Sequence, residues 1–270
     1  MSEEPVAPHA AQLIDAARTI VIKVGSSLLV DRDRRKVRAA WLAALAEDVA
    51  ALRESDKRVI VVSSGAVALG WHHMGIDRPA SLESKQAVAA IGQGLLMNAW
   101  RAAFDPHHVE VAQLLLTRGD TESDRRRANA RATLAMLLEM GALPVINEND
   151  SVATEELQYG DNDQLSALVA ELAGAEALLL LSDVDGLYDG DPAQPDAHHI
   201  GHVPQVTPEV EALARKPLEG SVGTGGMASK LSAAKLANER GCGTIIASGR
   251  PMHALASLRD RKVRATVIGT

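Results

Sequence analysis

Short runs of β-branched and leucine residues alternate with longer amphipathic stretches along almost the whole chain. No single motif constrains the fold as strongly as this alternation. Thr19–Val24, Arg58–Ser63, Val109–Leu116, Leu143–Ile146, Ala177–Leu181, Thr244–Ala247 and Val263–Gly269 read as strands. Ala40–Arg53, Ser81–Phe104, Asp124–Met140, Asp163–Leu172 and Met227–Arg240 read as helices between them. The first helix sets Trp41, Leu42, Leu45, Val49 and Leu52 at helical spacing, and the second is one helix or two pieces meeting around Gly92 and Gly94. Strands alternating with helices imply right-handed crossovers and an α/β fold with a largely parallel sheet covered on both faces. Leu178–Leu181 is continuously apolar, as a strand buried on both faces should be. Asp189–Pro208, rich in Pro, Asp, His and Gly, reads as the main loop region.

The core of such a sheet has to come from Ala, Val, Leu and Ile, because the aromatic residues are three Trp, two Tyr and one Phe. That set poorly supplies a single-stranded nucleic-acid surface of stacked aromatics. A net charge of -7 argues against a duplex-binding protein, which needs a basic footprint, but leaves room for a locally positive pocket. The longest apolar runs fall far below the ~20 residues of a membrane helix. Neither nucleic acid nor membrane is therefore expected as a partner. Met1–Ala17 carries Glu3, Glu4, Pro5, Pro8 and Asp15 and no apolar leader, so a cytoplasmic location is expected. A single cysteine, Cys242, fits a reducing compartment and reads as a small buried residue before a strand. The 270 residues suit one two-lobed domain or two tightly joined ones. The pairs His72-His73, His107-His108 and His198-His199 read as surface or loop residues rather than metal ligands, and Arg125–Arg127 as a solvated helix face.

In open α/β sheets ligands bind beyond the carboxyl ends of the strands, and those ends carry unusual residues here. Lys23 lies inside the apolar run Val21–Val24, which is costly unless its ammonium meets an anion or snorkels from an edge strand. Gly25, followed by Ser26 and Ser27, lets backbone N–H groups approach a phosphate. Ser63-Ser64-Gly65 is either a helix N-cap or an anion-binding turn. Asn147-Glu148-Asn149-Asp150 and Asp161-Asn162-Asp163 flank one loop. They either cap a helix or grip an amine, a metal or a lysine, and they lack EF-hand spacing. Ser182 and Asp183 precede an Asp-Gly turn and are placed to meet the polar edge of a ligand. In Gly223–Lys230, three glycines precede a helix with a lysine in its first turn, so N–H groups, helix dipole and ammonium converge on one anion. This is not a Walker A loop. It fits the loose dinucleotide fingerprint, but no strand leads directly into it, which disfavours a Rossmann dehydrogenase.

Val61–Ala66, Ser84-Lys85-Gln86, Ile91-Gly92-Gln93, Pro144–Asp150, Gly160–Ala167 and Gly223–Lys230 together resemble the amino acid kinase family, and within it the glutamate 5-kinase branch. The resemblance runs from about Thr19 to the end. Kinases for acetylglutamate, aspartate, carbamate or UMP share the lysines and glycine-rich loops. They are not expected to share the paired Asn-Glu-Asn-Asp and Gly-Asp-Asn-Asp segments in this form. The resemblance implies a three-layer αβα sandwich around a mainly parallel sheet. It implies a single kinase domain over 1–270 without the C-terminal PUA domain of many members, with a glutamate-binding lobe over about 19–175 and an ATP-binding lobe over about 176–270. Lys23 and Lys230 would flank the transferring phosphoryl group, with Asp163 as their organiser. Ser64, Asp150 and Asn162 would bind glutamate. Lys23, Gly25, Ser182, Asp183, Thr224, Gly225, Gly226, Met227, Ala228, Ser229 and Lys230 would contact ATP. Ser182 and Ser26 stand where the family often has Thr, with the hydroxyl kept. Mg²⁺ would arrive on ATP with few protein ligands, and the Ser151–Gly160 loop would act as a lid. The resemblance further implies L-glutamate 5-phosphate as product, feedback inhibition by proline, and a homodimer or tetramer.

Overall fold

The computed structural model describes residues 8–31, 33, 35–153, 162–214 and 226–269. Helix α1 (Pro8–Ala16) leads into strand β1 (Thr19–Val24). A single turn, α2 (Ser26–Leu29), and a ribbon of β2 (Val30–Asp31) and β3 (Lys36–Val37) then reach α3 (Ala39–Glu54). Strand β4 (Arg58–Ser63) is followed by α4 (Ala66–Met74) and α5 (Leu82–Phe104), and β5 (Val111–Leu116) by α6 (Arg118–Glu122) and α7 (Asp124–Glu139). Strand β6 (Leu143–Glu148) precedes α8 (Asn162–Ala173), and β7 (Ala177–Ser182) precedes a ribbon of β8 (Leu187–Tyr188) and β9 (His199–Ile200). Then come β10 (His202–Val203), α9 (Pro208–Leu213), α10 (Met227–Asn238), β11 (Gly243–Ser248), α11 (Ala254–Arg259) and β12 (Ala265–Ile268).

Among the described residues, eight strands form one sheet in the order β10-β12-β11-β7-β1-β4-β6-β5. The sheet is mainly parallel, as the strand–helix alternation requires. One pair, β11 with β12, is antiparallel, because the connection through α11 returns at the same end of the sheet. The supposed loop region Asp189–Pro208 contributes β10 to the sheet through its pairing with β12.

Strand side chains alternate between two faces, and the core divides accordingly. Ile20, Ile22, Val24, Val59, Val61, Val145, Leu179 and Leu181 pack with Trp41, Leu45, Trp100, Phe104 and Leu255 of α3, α5 and α11. Val21, Ile60, Val62, Ile146, Leu178 and Leu180 pack with Leu134, Leu165, Val169 and Leu231 of α7, α8 and α10. The largest side chains sit in the first layer, where each indole N–H finds an acceptor. Trp41 Nε1 donates to the Gly249 carbonyl at 2.7 Å and Trp100 Nε1 to Ser63 Oγ at 3.0 Å. Cys242 is buried at the approach to β11, and burial pushes its thiol up to about 12, so it stays protonated and inert. The run Arg125–Arg127 is not wholly a solvated face, since Arg127 pairs with Glu171 of α8. Among the described residues no helix is long and apolar enough to cross a membrane, and no cluster of three His, Cys, Asp or Glu could hold a metal ion.

Of the two readings of the Ser81–Phe104 stretch, the unbroken helix is the one formed. Gly92 does not interrupt α5. It lets α4 cross at backbone distance. A Cβ on Gly92 would overlap the Ala66 carbonyl, and one on Gly70 would overlap the Val88 carbonyl. A Cβ on Gly94, one turn face away, would meet nothing within 4 Å. Gly92→Ala should therefore destabilise the fold by about 1–3 kcal/mol or more through overpacking. Gly94→Ala should stabilise it by about 0.5–1 kcal/mol through helix propensity. Urea unfolding midpoints of the two variants should shift in opposite directions.

Candidate active site

Strand β1 lies in the middle of the sheet, between β4 and β7, with Lys23 in register with Val62 and Leu180. An edge-strand lysine reaching for water is therefore excluded. The period of two places Lys23 in the same row as Val21, on the face covered by α8 and α10. Both helices begin beside it. Asp163 is the second residue of α8, and Lys230 stands in the first turn of α10. Lys23 Nζ lies 2.5 Å from Asp163 Oδ1, and Lys230 Nζ lies 3.0 Å from Asp163 Oδ2. The Asp163 side chain is 0% exposed and the lysines 7% and 4%. One carboxylate thus holds two ammonium groups from separate elements in a buried site, where such pairing is what makes burial of charge tolerable.

Beside this triad the ends of β4 and β6 meet the start of α8 through neutral polar groups. Asn162 Nδ2 donates to the Ser63 carbonyl at 2.8 Å, to Ser64 Oγ at 2.9 Å and to Asn147 Oδ1 at 2.8 Å. Asn147 Nδ2 in turn donates to Gln93 Oε1 of α5 at 2.9 Å. Gln86, two turns earlier on α5, donates to the Ala153 carbonyl at 3.1 Å and so anchors the chain beyond Asp150. Asp150 itself lines a cavity of about 300 Å³ together with Gln93, Gln113, Glu148, Asn149 and Ser151. Burial, and then the nearby Glu148 carboxylate, push its carboxyl up to about 7. Two acids kept close in a half-dry pocket are prepared for a cationic group.

On the other side of the triad, Gly226 caps α10 with an extended backbone, and Met227 and Ala228 open the first turn with N–H groups that the helix cannot satisfy. Ser229 Oγ is buried there without a partner among the described residues. Ser182 closes β7. Its hydroxyl accepts from the Val184 N–H at 3.3 Å, and its carbonyl takes the Gly249 N–H at 2.8 Å. Asp183 faces outward, 3.9 Å from Arg250 Nη2. Thr224 and Gly225 lie outside the described residues, as do Asp161 and most of the expected lid, of which Ser151–Ala153 are described.

The Gly25 N–H donates to the Leu181 carbonyl at 3.3 Å and extends the ladder between β1 and β7, with φ at an ordinary -71°. The donors left at that turn are the first N–H groups of α2, from Ser26 and Ser27. Gln93 is the residue missed in the sequence, and Asn147 was legible only as part of the Asn147–Asp150 cluster, without a role of its own. A buried amide at the end of an apolar strand and another beside a glycine on an apolar helix face were the available signals.

The same arrangement of sheet and helices occurs in solved structures. Isopentenyl phosphate kinase from T. acidophilum superposes with a TM-score of 0.64 at 17% identity, over 93% of this chain and 99% of that one. UMP kinase from Ureaplasma parvum does so with a TM-score of 0.62 at 18% identity, over 94% of this chain and 99% of that one. At sequence level, a protein of Caulobacter vibrioides named glutamate 5-kinase is 53% identical over 249 residues, 90% of this chain and 66% of that protein. One of Paramagnetospirillum magneticum with the same name is 51% identical over 246 residues, 91% of this chain and 66% of that protein. The chain thus spans 66% of the length of these curated relatives. The family model described as the amino acid kinase family matches residues 18–248, which include Lys23, Asp163 and Lys230, and this chain belongs to that family.

Proposed function

We propose that this chain phosphorylates the γ-carboxylate of L-glutamate with ATP, giving L-glutamate 5-phosphate and ADP, as the first step of proline biosynthesis. The observation that carries this reading is the pair of buried lysines on Asp163, placed between an amide-lined pocket with an acid pair and the open first turn of α10. The names of relatives 53% and 51% identical over the matched 249 and 246 residues support glutamate as the substrate. In this reading residues of about 19–175 bind glutamate and residues of about 176–270 bind ATP.

The reaction joins two anions, so positioning and charge neutralisation dominate its barrier. A γ-carboxylate oxygen attacks the γ-phosphorus while the bond to the β,γ-bridging oxygen breaks, and ADP leaves with that electron pair. Glutamate's carboxylate is ionised at neutral pH, so no base is required and Asp163 serves as organiser. An ammonium carries three N–H donors, so a lysine can hold Asp163 and a phosphoryl oxygen together. Lys23 and Lys230 then stabilise charge spreading over the transferring group from two sides. The N–H groups of Met227 and Ala228, with the Ser229 hydroxyl, suit the remaining phosphate oxygens, and Ser182 and Asp183 suit the nucleoside end. Ser64 and Asn162 orient glutamate, and Asp150 pairs with its ammonium.

Asp163 commits both oxygens to lysines, so the donor set near the triad fits a Mg²⁺ that arrives on the nucleotide rather than one caged by protein. Bound to ATP oxygens, that ion supplies further neutralisation of phosphate charge. Inhibition by proline at the glutamate site, assembly into a homo-oligomer and a cytoplasmic setting belong to the same reading. An ADP-release assay with glutamate, acetylglutamate, aspartate and no acceptor tests it, and turnover that does not prefer glutamate would refute it.

Two further outcomes are expected. Lys230→Ala should lower kcat about 10²–10³-fold, the scale for losing one preorganised transition-state donor, with a folded protein by circular dichroism; unchanged turnover would remove its role. The Asp150 carboxyl, raised to about 7 from 3.8, ionises only as pH rises past neutrality. The KM for glutamate should therefore fall as pH is raised from about 6 to 8. Asp150→Asn should flatten that dependence and raise KM at least about tenfold at pH 8. The sign for stability is opposite. The unfolded carboxyl ionises near 3.8, so ligand-free protein loses this group's contribution as pH climbs towards 7.

A further inference from the structure

Gln86, Gln93 and Trp100 stand seven residues apart on α5, close to one line along the helix, since a heptad drifts by only about 20°. Each commits a polar atom to a different segment at the carboxyl end of the sheet. Gln86 Nε2 donates to the Ala153 carbonyl beyond β6, Gln93 Oε1 accepts from Asn147 of β6, and Trp100 Nε1 donates to Ser63 Oγ at the end of β4. Helix α5 packs on one face of the sheet, whereas α8, which carries Asn162, packs on the other.

The end of β4 is gripped from both faces. Ser63 follows Val59 and Val61 in the row under α5, and its fully buried hydroxyl takes the Trp100 N–H at 3.0 Å. Its carbonyl takes an N–H of Asn162 at 2.8 Å, and the neighbouring Ser64 Oγ meets the same Asn162 nitrogen at 2.9 Å. An indole N–H can only donate, so Ser63 Oγ accepts from it and turns its own proton to the Ser64 carbonyl, 3.4 Å away. Gly65 then follows at φ 107°, a conformation open to glycine but not enforced by it, so the turn takes its shape from its partners. Phe104 stacks on Trp100 with ring centroids 6.1 Å apart and supplies packing without a polar atom. We propose that Trp100 is a positioning residue for the amino-acid substrate: its indole N–H, acting through the Ser63 hydroxyl, sets where Ser64 stands against Asn162. This rests on the reading of Ser64 and Asn162 as groups that bind glutamate.

Two substitutions break the same bond from opposite sides. Trp100→Phe removes the N–H and keeps a ring in the core, and Ser63→Ala removes the acceptor and keeps the indole. Each should raise the glutamate KM about three- to tenfold, the scale of one hydrogen bond, and leave the ATP KM within about twofold. The double variant should bind glutamate no worse than the weaker of the two single variants, because the second change finds the bond already gone. Phe104→Leu disturbs the same packing without touching the bond, and should leave the ratio of the two KM values within about twofold. An unmoved glutamate KM, a parallel rise for both substrates, additive effects in the double variant, or an equal rise in Phe104→Leu would each overturn the assignment. Ser63→Ala read against Phe104→Leu serves if Trp100→Phe does not fold. Absence of wild-type turnover with glutamate would overturn the reading beneath, whereas wild-type turnover with unmoved variant KM values sinks the Trp100 assignment alone.

Discussion

The contact of Asp163 with Lys23 and Lys230 sets the terms for the rest of the structure. A lysine on the central strand of a sheet covered on both faces is almost wholly withdrawn from water, with 7% of its side chain exposed, so its position is tenable only if a carboxylate is brought to it. That carboxylate sits in the first turn of α8, which fixes where α8 starts and how it lies on β1. The second oxygen of Asp163 then requires the first turn of α10 to come within reach, which Lys230 does at 3.0 Å. Two crossover helices are thus registered against each other and against the sheet by one side chain. Removing that carboxylate would leave two ammonium groups facing each other in a dry site, a change more severe than losing either partner lysine.

The division of the core follows from the same requirement. The face that holds the triad packs small and aliphatic side chains such as Ala167, Ala170, Ala233 and Ala234, so α8 and α10 approach the sheet and each other closely. The opposite face, where the buried Asp48 of α3 accepts from the Leu255 and Ala256 N–H groups of α11, takes Trp41, Trp100 and Phe104. The scarcity of aromatics noted in the composition is therefore a matter of placement. Bulk is spent on one layer, and close helix approach is kept for the other. The crossing of α4 over α5 at Gly70 and Gly92 extends the principle, since α4 starts directly after the Ser64 turn and must lie low to leave that turn beside Asn162.

Much of this was legible in the sequence because the relevant signals are local. Period-two apolar runs gave the parallel strands and their faces. A lysine interrupting Val21–Val24 announced a buried charge, and three glycines before Lys230 announced a helix start. What was not legible depended on distant partners. Whether Lys23 was central or at an edge is a property of strand order. Gly92 left one helix or two pieces open because its partner, Ala66, lies 26 positions away. The Leu181 carbonyl that takes the Gly25 N–H likewise lies on another strand. Asn147 and Gln93 offered only local hints, an amide that ends an apolar strand and one beside a helix glycine. Their meaning arises only when β6 and α5 are packed together and each amide inherits its orientation from its neighbour.

Charge is distributed between the two halves of the site in a way that suits the proposed reaction. Glutamate brings one net negative charge and ATP several, so an ammonium placed in the amino-acid pocket would attract the nucleotide as readily as the substrate. The described groups there are neutral amides and hydroxyls, from Gln93, Asn147, Asn162 and Ser64, with the acids Glu148 and Asp150. Acids repel phosphate and select for an ammonium, and amides bind a carboxylate by geometry rather than by charge. Neither lysine lines that pocket, and both are held on Asp163. Specificity for an amino acid and attraction for a phosphoryl group are thereby assigned to different chemistries. In the proposed reaction the single carboxylate between them would hold the positive charge where the two substrates meet.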